Sequence, residues 1–292
     1  MKYIDPAPAR PHSALGLTTA VRARGRGIII LSGPSSCGKG AIAEALRSTL
    51  HLPAANHISM GDALRETVSR ARGEESFLAE LGERFDIHPD RGAFDDQVTH
   101  PSICLKARSY EAELAKRFGS EPSQLDWLDY CVSAGLLVPD EWSERIIEGV
   151  LAERAGQHEA VLLLDGYPRT EAAARHVLSL SERLGIPIIK VVHLSVSKTE
   201  MQNRALGRQR LDDTPETLER RYQFYVDHVQ PSVEFLKAKL GSRVVALIDA
   251  HQPEYRSDGS LDLDQSVRNV ANRVLMALGV SRHILETLDE GS

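Results

Sequence analysis

The stretch GIIILSGPSSCGKGAIAEA, from Gly27 to Ala45, decides the fold. Ile28, Ile29, Ile30 and Leu31 make a short apolar, β-branched run of the kind that suits a strand buried on both faces. Ser32 to Gly40 supplies small residues and glycines, and Ile42, Ala45, Leu46 and Leu50 follow at helical spacing. Strand, glycine-rich turn and helix in that order give Gly33 to Lys39, G-x-x-x-x-G-K, the context its pattern requires. Such a turn leaves successive backbone N–H groups pointing inward at a helix N-terminus. There they and the helix dipole can hold a polyphosphate, while Lys39 adds a mobile positive charge. A tight strand-to-helix turn with a solvated lysine is the simpler alternative, and the flanking strand and helix weigh against it.

Outward from that stretch, composition sets the bounds. A chain of 292 residues can bury a full core, as one domain with mobile lobes or two closely joined domains. A formal charge of −6 and a pI near 6.0 leave no polybasic footprint, so neither a nucleic-acid polymer nor a membrane surface is expected as a partner. Cys37, Cys104 and Cys131 are widely spaced without a C-x-x-C, which suggests no disulfide framework or zinc knuckle and fits a reducing, cytoplasmic compartment. Within the turn, Cys37 reads as a small filler residue rather than a reactive thiol. Met1 to Arg26 carries Pro6, Pro8 and Pro11 and lacks the apolar core of a secretory signal, so a partly ordered extension is expected. No apolar stretch is long enough to span a bilayer.

Four more strands are expected, at Asn56–Met60, Ala160–Leu164, Ile186–Leu194 and Arg243–Ile248, with helices between them. Phe77, Leu78, Leu81 and Phe85 mark one amphipathic helix, Tyr110, Leu114 and Phe118 a second, and Leu125, Leu128 and Val132 a third. HPDRG at His88 and THPS at Thr99 read as turns. A helix is expected to start at Thr214 before Pro215, and a last one to run from Gln265 to Leu278. The alternation predicts an α/β, doubly wound, five-stranded parallel sheet with right-handed crossovers.

Two features narrow the chemistry beyond phosphate binding. Asp165 ends an apolar strand, where an open parallel sheet binds its ligands and where a carboxylate can organise Mg²⁺ and its waters. Arg65, Arg169, Arg204, Arg208, Arg210 and Arg221 stand at helix starts or turns. Each alone reads as a surface charge. Together they suit phosphoryl transfer between two phosphate esters, where the anions must be drawn together and the charge on the transferring group neutralised.

ISMGDALR, GLLVPDE, DGYPRT and RALGRQRLDDTPETLERR, in that order after a phosphate loop ending GKG, resemble the adenylate kinase branch of the nucleoside monophosphate kinases. The resemblance runs from Gly27 to about Ala250 and implies a phosphate-loop kinase core formed by residues 27–62 and 134–292. It further implies a helical acceptor-binding lobe, residues 63–133, and a short lid at about 204–213 with no room for a zinc site. The lobe is longer than is usual in the family, and the surplus, about 72–127, reads as a helical insertion.

The same resemblance assigns the donor, ATP, to Gly33, Ser35, Ser36, Cys37, Gly38, Lys39, Gly40 and Ala41, with Arg204, Arg208 and Gln252. The acceptor, a nucleoside monophosphate, falls to Met60, Arg65, Leu136, Leu137, Val138, Gly166, Arg169, Ala173, Arg210 and Arg221. Transfer itself is carried by Lys39, Arg169, Arg208, Arg210, Arg221 and Asp165, and Mg²⁺ is held through water by Asp62 and Asp165. Three positions depart from the family pattern. Ala41 lacks the hydroxyl commonly found after GKG, Met60 replaces a threonine facing the acceptor base, and Ala173 replaces a glutamine that reads adenine. The implied function is a monomeric, cytoplasmic kinase converting ATP and AMP to two ADP. Another monophosphate or a specialised phosphorylated metabolite as acceptor is one alternative, and a decayed nucleotide sensor is another.

Overall fold

In the computed structural model, which describes residues 4–7, 20–23, 25–155, 161–208 and 214–289, the apolar run of the opening stretch is the middle strand of a sheet. The strands are β1 (Ile4–Ala7), β2 (Ala20–Ala23), β3 (Gly27–Ser32), β4 (His57–Ser59), β5 (Val161–Asp165), β6 (Ile188–Ser195) and β7 (Val245–Asp249). The helices are α1 (Lys39–Thr49), α2 (Met60–Gly73), α3 (Glu75–Phe85), α4 (Pro101–Arg108), α5 (Glu111–Phe118), α6 (Gln124–Ser133) and α7 (Asp140–Ala155). They continue as α8 (Glu171–Leu184), α9 (Lys198–Arg208), α10 (Pro215–Phe224), α11 (Gln230–Leu240), α12 (Leu263–Ala277) and α13 (Arg282–Asp289). Contacts divide the chain into two units, one of Met1–Ser59 with Arg154–Ser292 and one of Met60–Glu153.

The first unit holds the five-stranded sheet, all parallel, in the order β4-β5-β3-β6-β7. Every residue of β3 is buried, as a continuous apolar strand requires. Side chains alternate across the pleat. Ile29, Leu31, Leu163, Val192 and Leu194 pack with Ile42 and Leu46 of α1 and Val270 and Val274 of α12 in one core. From β3 the chain moves to one side, to β4, and later crosses to β6 on the other, so the strand order reverses at β3. Ligands of open α/β sheets sit outside the C-terminal edge at such a point, which here is the loop after Ser32. This is the α/β doubly wound sheet expected from the sequence, with strand ends displaced by one or two residues.

The second unit is helical. Phe77, Leu81 and Phe85 of α3, Ile103 of α4, Leu114 of α5 and Trp127 and Leu128 of α6 are buried. Tyr110, Trp127 and Tyr130 cluster with ring centroids 5.7 to 6.1 Å apart. Ser123 caps α6 in a reciprocal box with Asp126, and Arg72 of α2 reaches both Asp126, at 2.6 Å, and Asp129, at 3.1 Å.

Five elements differ from expectation. The THPS turn continues into α4, because His100 and Pro101 form a helix start whose few apolar residues are too short a run to register as periodic. Antiparallel β1 and β2 lie in the N-terminal extension, where prolines obscure any alternation. Helix α13 follows Gly279 and had no sequence signal. The helix expected from Thr214 widens into a π turn over Tyr225–Val229. Pro231 has no N–H to donate four residues back, and the wider turn accommodates that loss. Among the described residues no helix is long and apolar enough to cross a membrane.

Candidate active site

The phosphate loop leaves β3 at Gly33, whose φ of 145° puts a hypothetical Cβ 2.4 Å from the carbonyl oxygen of Leu194, so no larger residue fits. Ser36 and Gly38 also take positive φ, and Cys37 between them is buried. Gly38 begins α1 without any side-chain cap, and no acidic residue stands in its first turn. Its first N–H groups are therefore left for an anion. Lys39 folds back across the loop and donates to the carbonyl oxygens of Gly33, at 3.0 Å, and Pro34, at 2.7 Å. Ala41 is exposed one residue beyond Gly40.

A second cation meets the same loop. Arg204 of α9 donates to the Cys37 carbonyl at 3.3 Å, to the Ala250 carbonyl at 3.0 Å and to Glu200 at 2.5 Å. Ala250 opens the segment after β7, in which Gln252 bonds back to Asp249.

On the other side of β3, Leu31 is in register with Asp165, and the Gly166 N–H donates to the Leu31 carbonyl at 3.2 Å. Asp165 is thus fixed at the loop's edge of the sheet. One of its oxygens lies 3.8 Å from His57 Nε2. The turn that follows holds a cis Tyr167–Pro168 bond, and Arg169 Nε closes it by donating to the Gly166 carbonyl at 2.8 Å. Ala173, three residues into the helix capped by Thr170, is buried.

Loop, Lys39, Asp165, Gly166, Arg169 and Arg204 are therefore gathered by hydrogen bonds and register at one sheet edge. Arg221 is half-buried on α10. Of the remaining predicted residues, Met60, Asp62, Arg65, Leu136, Leu137 and Val138 belong to the second unit. Met60 is buried at the start of α2, and one turn on Arg65 pairs with Asp62 at 2.5 Å, both largely exposed. Leu136 and Leu137 are half-buried and Val138 buried between α6 and α7. Arg210 and the rest of the lid to residue 213 lie outside the described residues, as does the side chain of Arg208.

Sequence reasoning missed several groups in contact with these. Glu200 could have been found, since it stands four residues before Arg204, a pairing distance on a helix. His193 and Tyr225 carried no such signal, being thirty-two residues apart; their side chains meet at 2.9 Å.

A family model described as Adenylate kinase matches residues 120–240. An adenylate kinase of Xanthomonas campestris pv. campestris (strain 8004) is 30% identical over 217 residues, covering 72% of this chain and 86% of the relative. The chain belongs to the adenylate kinase family. A Mycobacteroides abscessus adenylate kinase is 27% identical over 222 residues, covering 76% of this chain and 90% of the relative. Adenylate kinase membership supports nucleoside monophosphate kinase activity, a phosphotransferase reaction on bound nucleotides.

Proposed function

We propose that this protein transfers the γ-phosphoryl group of ATP reversibly to a nucleoside monophosphate, with AMP as the acceptor. The observation that carries the reading is the convergence of two cations on one uncapped helix start: Lys39 lies across the loop, and Arg204 bonds the same loop at Cys37. ATP phosphates would replace the Gly33 and Pro34 carbonyls as partners of the Lys39 ammonium and take the N–H groups at the start of α1. Arg65 and Arg169 bind the acceptor phosphate, while Arg208, Arg210 and Arg221 spread over the charge of the group in transit. Positioning and electrostatics suffice, and no covalent intermediate is needed. In this reading residues 63–133 form the acceptor lobe and residues 204–213 the short lid, and the enzyme works as a cytoplasmic monomer.

Mg²⁺ belongs to the proposal as a companion of the nucleotide. Among the described residues no three His, Cys, Asp or Glu side chains gather as a cage. Asp62 and Asp165 offer hard oxygen donors, which fits an ion carried mainly by phosphate and water. When bound it would neutralise phosphate charge.

A different acceptor is favoured by one observation. Met60 and Ala173 are both buried and carry no hydrogen-bonding group with which to read a base. A coupled assay for ADP formation with AMP, GMP, CMP and UMP separately decides between them. ADP formation that needs an acceptor and is fastest with AMP supports the proposal. Preference for CMP or UMP reassigns the acceptor, and failure to form ADP with any of them removes the kinase reading.

A further inference from the structure

Strand β6 does more than flank the phosphate loop. Its Leu194 carbonyl forces glycine at position 33, and the preceding residue, His193, stands in register with Ser32, the last strand residue before the loop. Because Val192 and Leu194 face the core with α1 and α12, the pleat turns His193 to the opposite face. It is buried there, 5% exposed, against Tyr225, which is 4% exposed. The two rings are parallel within 3°, with centroids 5.7 Å apart, and His193 Nε2 lies 2.9 Å from the Tyr225 hydroxyl.

The hydrogen bonds have a direction. Gln230 Nε2 donates to the Tyr225 oxygen at 3.3 Å, so the phenol proton is left for His193 Nε2. His193 Nδ1–H then faces the Ser32 hydroxyl at 3.5 Å. This chain requires a neutral imidazole, and burial, followed by the charge of Lys39, pushes the His193 pKa down to about 4. Tyr225 is also the first residue of the π turn and stands four residues after Arg221, on the same side of the helix.

We propose that His193 and Tyr225 form a buried positioning pair that ties the helix bearing Arg221 to the strand beside the phosphate loop, setting Arg221 against the phosphoryl group that Lys39 holds. The π turn is then the local distortion that brings Tyr225 to His193 without moving Arg221 off its face. The inference rests on the transfer roles given above to Lys39 and Arg221. It is a role in alignment, since neither ring touches a reacting atom.

Steady-state kinetics with ATP and AMP on the full chain test it, with thermal melting to establish folding. Tyr225→Phe keeps the ring and deletes the hydroxyl, and His193→Phe keeps the stack and deletes the acceptor. Each should lower kcat about tenfold and leave both KM values within about twofold, the signature of an interaction expressed in the transition state. His193→Gln, whose amide oxygen can accept from the tyrosine hydroxyl, should recover most of the loss. In an Arg221→Ala background, Tyr225→Phe should cost almost nothing more, because a pair that acts through Arg221 cannot act without it. Should Tyr225→Phe fail to fold, the contrast between His193→Gln and His193→Phe, alone and with Arg221→Ala, carries the same decision. Wild-type kcat in the single variants beside a large loss in Arg221→Ala overturns the pair and spares the kinase reading. Losses that add fully to that of Arg221→Ala, or no rescue by glutamine, also overturn it. An unchanged kcat in Arg221→Ala overturns the transfer role of that arginine and the pair with it.

Discussion

The Glu200 carboxylate receives the Nε–H of Arg204 at 2.5 Å, one helical turn apart on α9. Arg204's other nitrogens bond the Cys37 and Ala250 carbonyls, so a single guanidinium joins helix α9, the phosphate loop and the segment after β7. The same Glu200 oxygen lies 3.2 Å from His251 Nδ1. Burial raises the Glu200 pKa, but the bond and charge of Arg204, helped by His251, outweigh it and hold the carboxyl below its ordinary value. The acid is therefore ionised at neutral pH and fixes the plane of Arg204.

Glu200→Gln keeps the shape and removes the charge. The expected outcome is a rise of about three- to tenfold in the KM for ATP, with the acceptor KM unchanged, as suits a partly buried charge-assisted bond. Initial-rate kinetics with each substrate varied in turn check it. An unaltered ATP KM would mean that Arg204 needs no help from Glu200.

Lys39→Ala should lose about a hundredfold in kcat, on the order of 3 kcal/mol of transition-state stabilisation. Its partners among the described residues, the Gly33 and Pro34 carbonyls and the Cys37 sulfur, all belong to its own loop, so the melting temperature should change little. A folded variant with normal turnover defeats the assignment.

Arg65 and Arg221 should separate binding from transfer. Arg65 is paired with Asp62 at the surface, and such pairs contribute little to stability. Arg65→Ala should therefore melt like the parent while the acceptor KM rises by about tenfold or more, whereas Arg221→Ala should mainly lower kcat. Identical kinetic profiles for the two variants would dissolve the division of roles.

How much of this was legible depended on the range of each interaction. The β3–loop–α1 unit is local, with an apolar run, glycines and helical spacing within nineteen residues, and it was read in full. That the sheet is parallel and doubly wound followed from alternating strands and helices, whereas the order of its strands did not. By contrast, α4 has only Ile103, Cys104 and Ala107 to bury, too few to leave a periodic trace. The π turn arises where Pro231 meets the demand of His193 for Tyr225, and those partners are distant in sequence. The same reason hid the contacts of His57 with Asp165 and of Arg204 with Ala250. Motif matching found the cations but not the groups that hold them.

His193 should also shape stability in acid. Its pKa falls from about 6.5 when unfolded to about 4 when folded, by burial first and the Lys39 charge second. Below pH 6.5 the unfolded chain takes up a proton that the native state refuses, so the contribution is complete above pH 6.5 and is lost progressively down to about pH 4. The full loss is on the order of 3 kcal/mol. Denaturant titrations between pH 4 and 7 should give a steeper fall for the parent than for His193→Phe, and parallel curves would contradict the burial of a neutral imidazole.

Glu144 carries the opposite dependence in the second unit. Burial first, then the like charges of Asp140, Glu141 and Glu148, raise its pKa from 4.5 to about 7. The neighbouring Arg145 does not relieve this, since it pairs with Asp86 at 3.4 Å. Between pH 4.5 and 7 the native state keeps a proton that the unfolded chain releases, so stability falls as pH rises through that window. Glu144→Gln mimics the protonated form and removes the penalty. The side chain is only partly buried, and solvent screening limits the gain to a shift of about 1–3 °C in the unfolding midpoint at pH 8, with none at pH 5. Melting curves of both proteins at the two pH values decide it: an equal shift at both would show that the substitution acts through packing rather than through the crowded charge on α7.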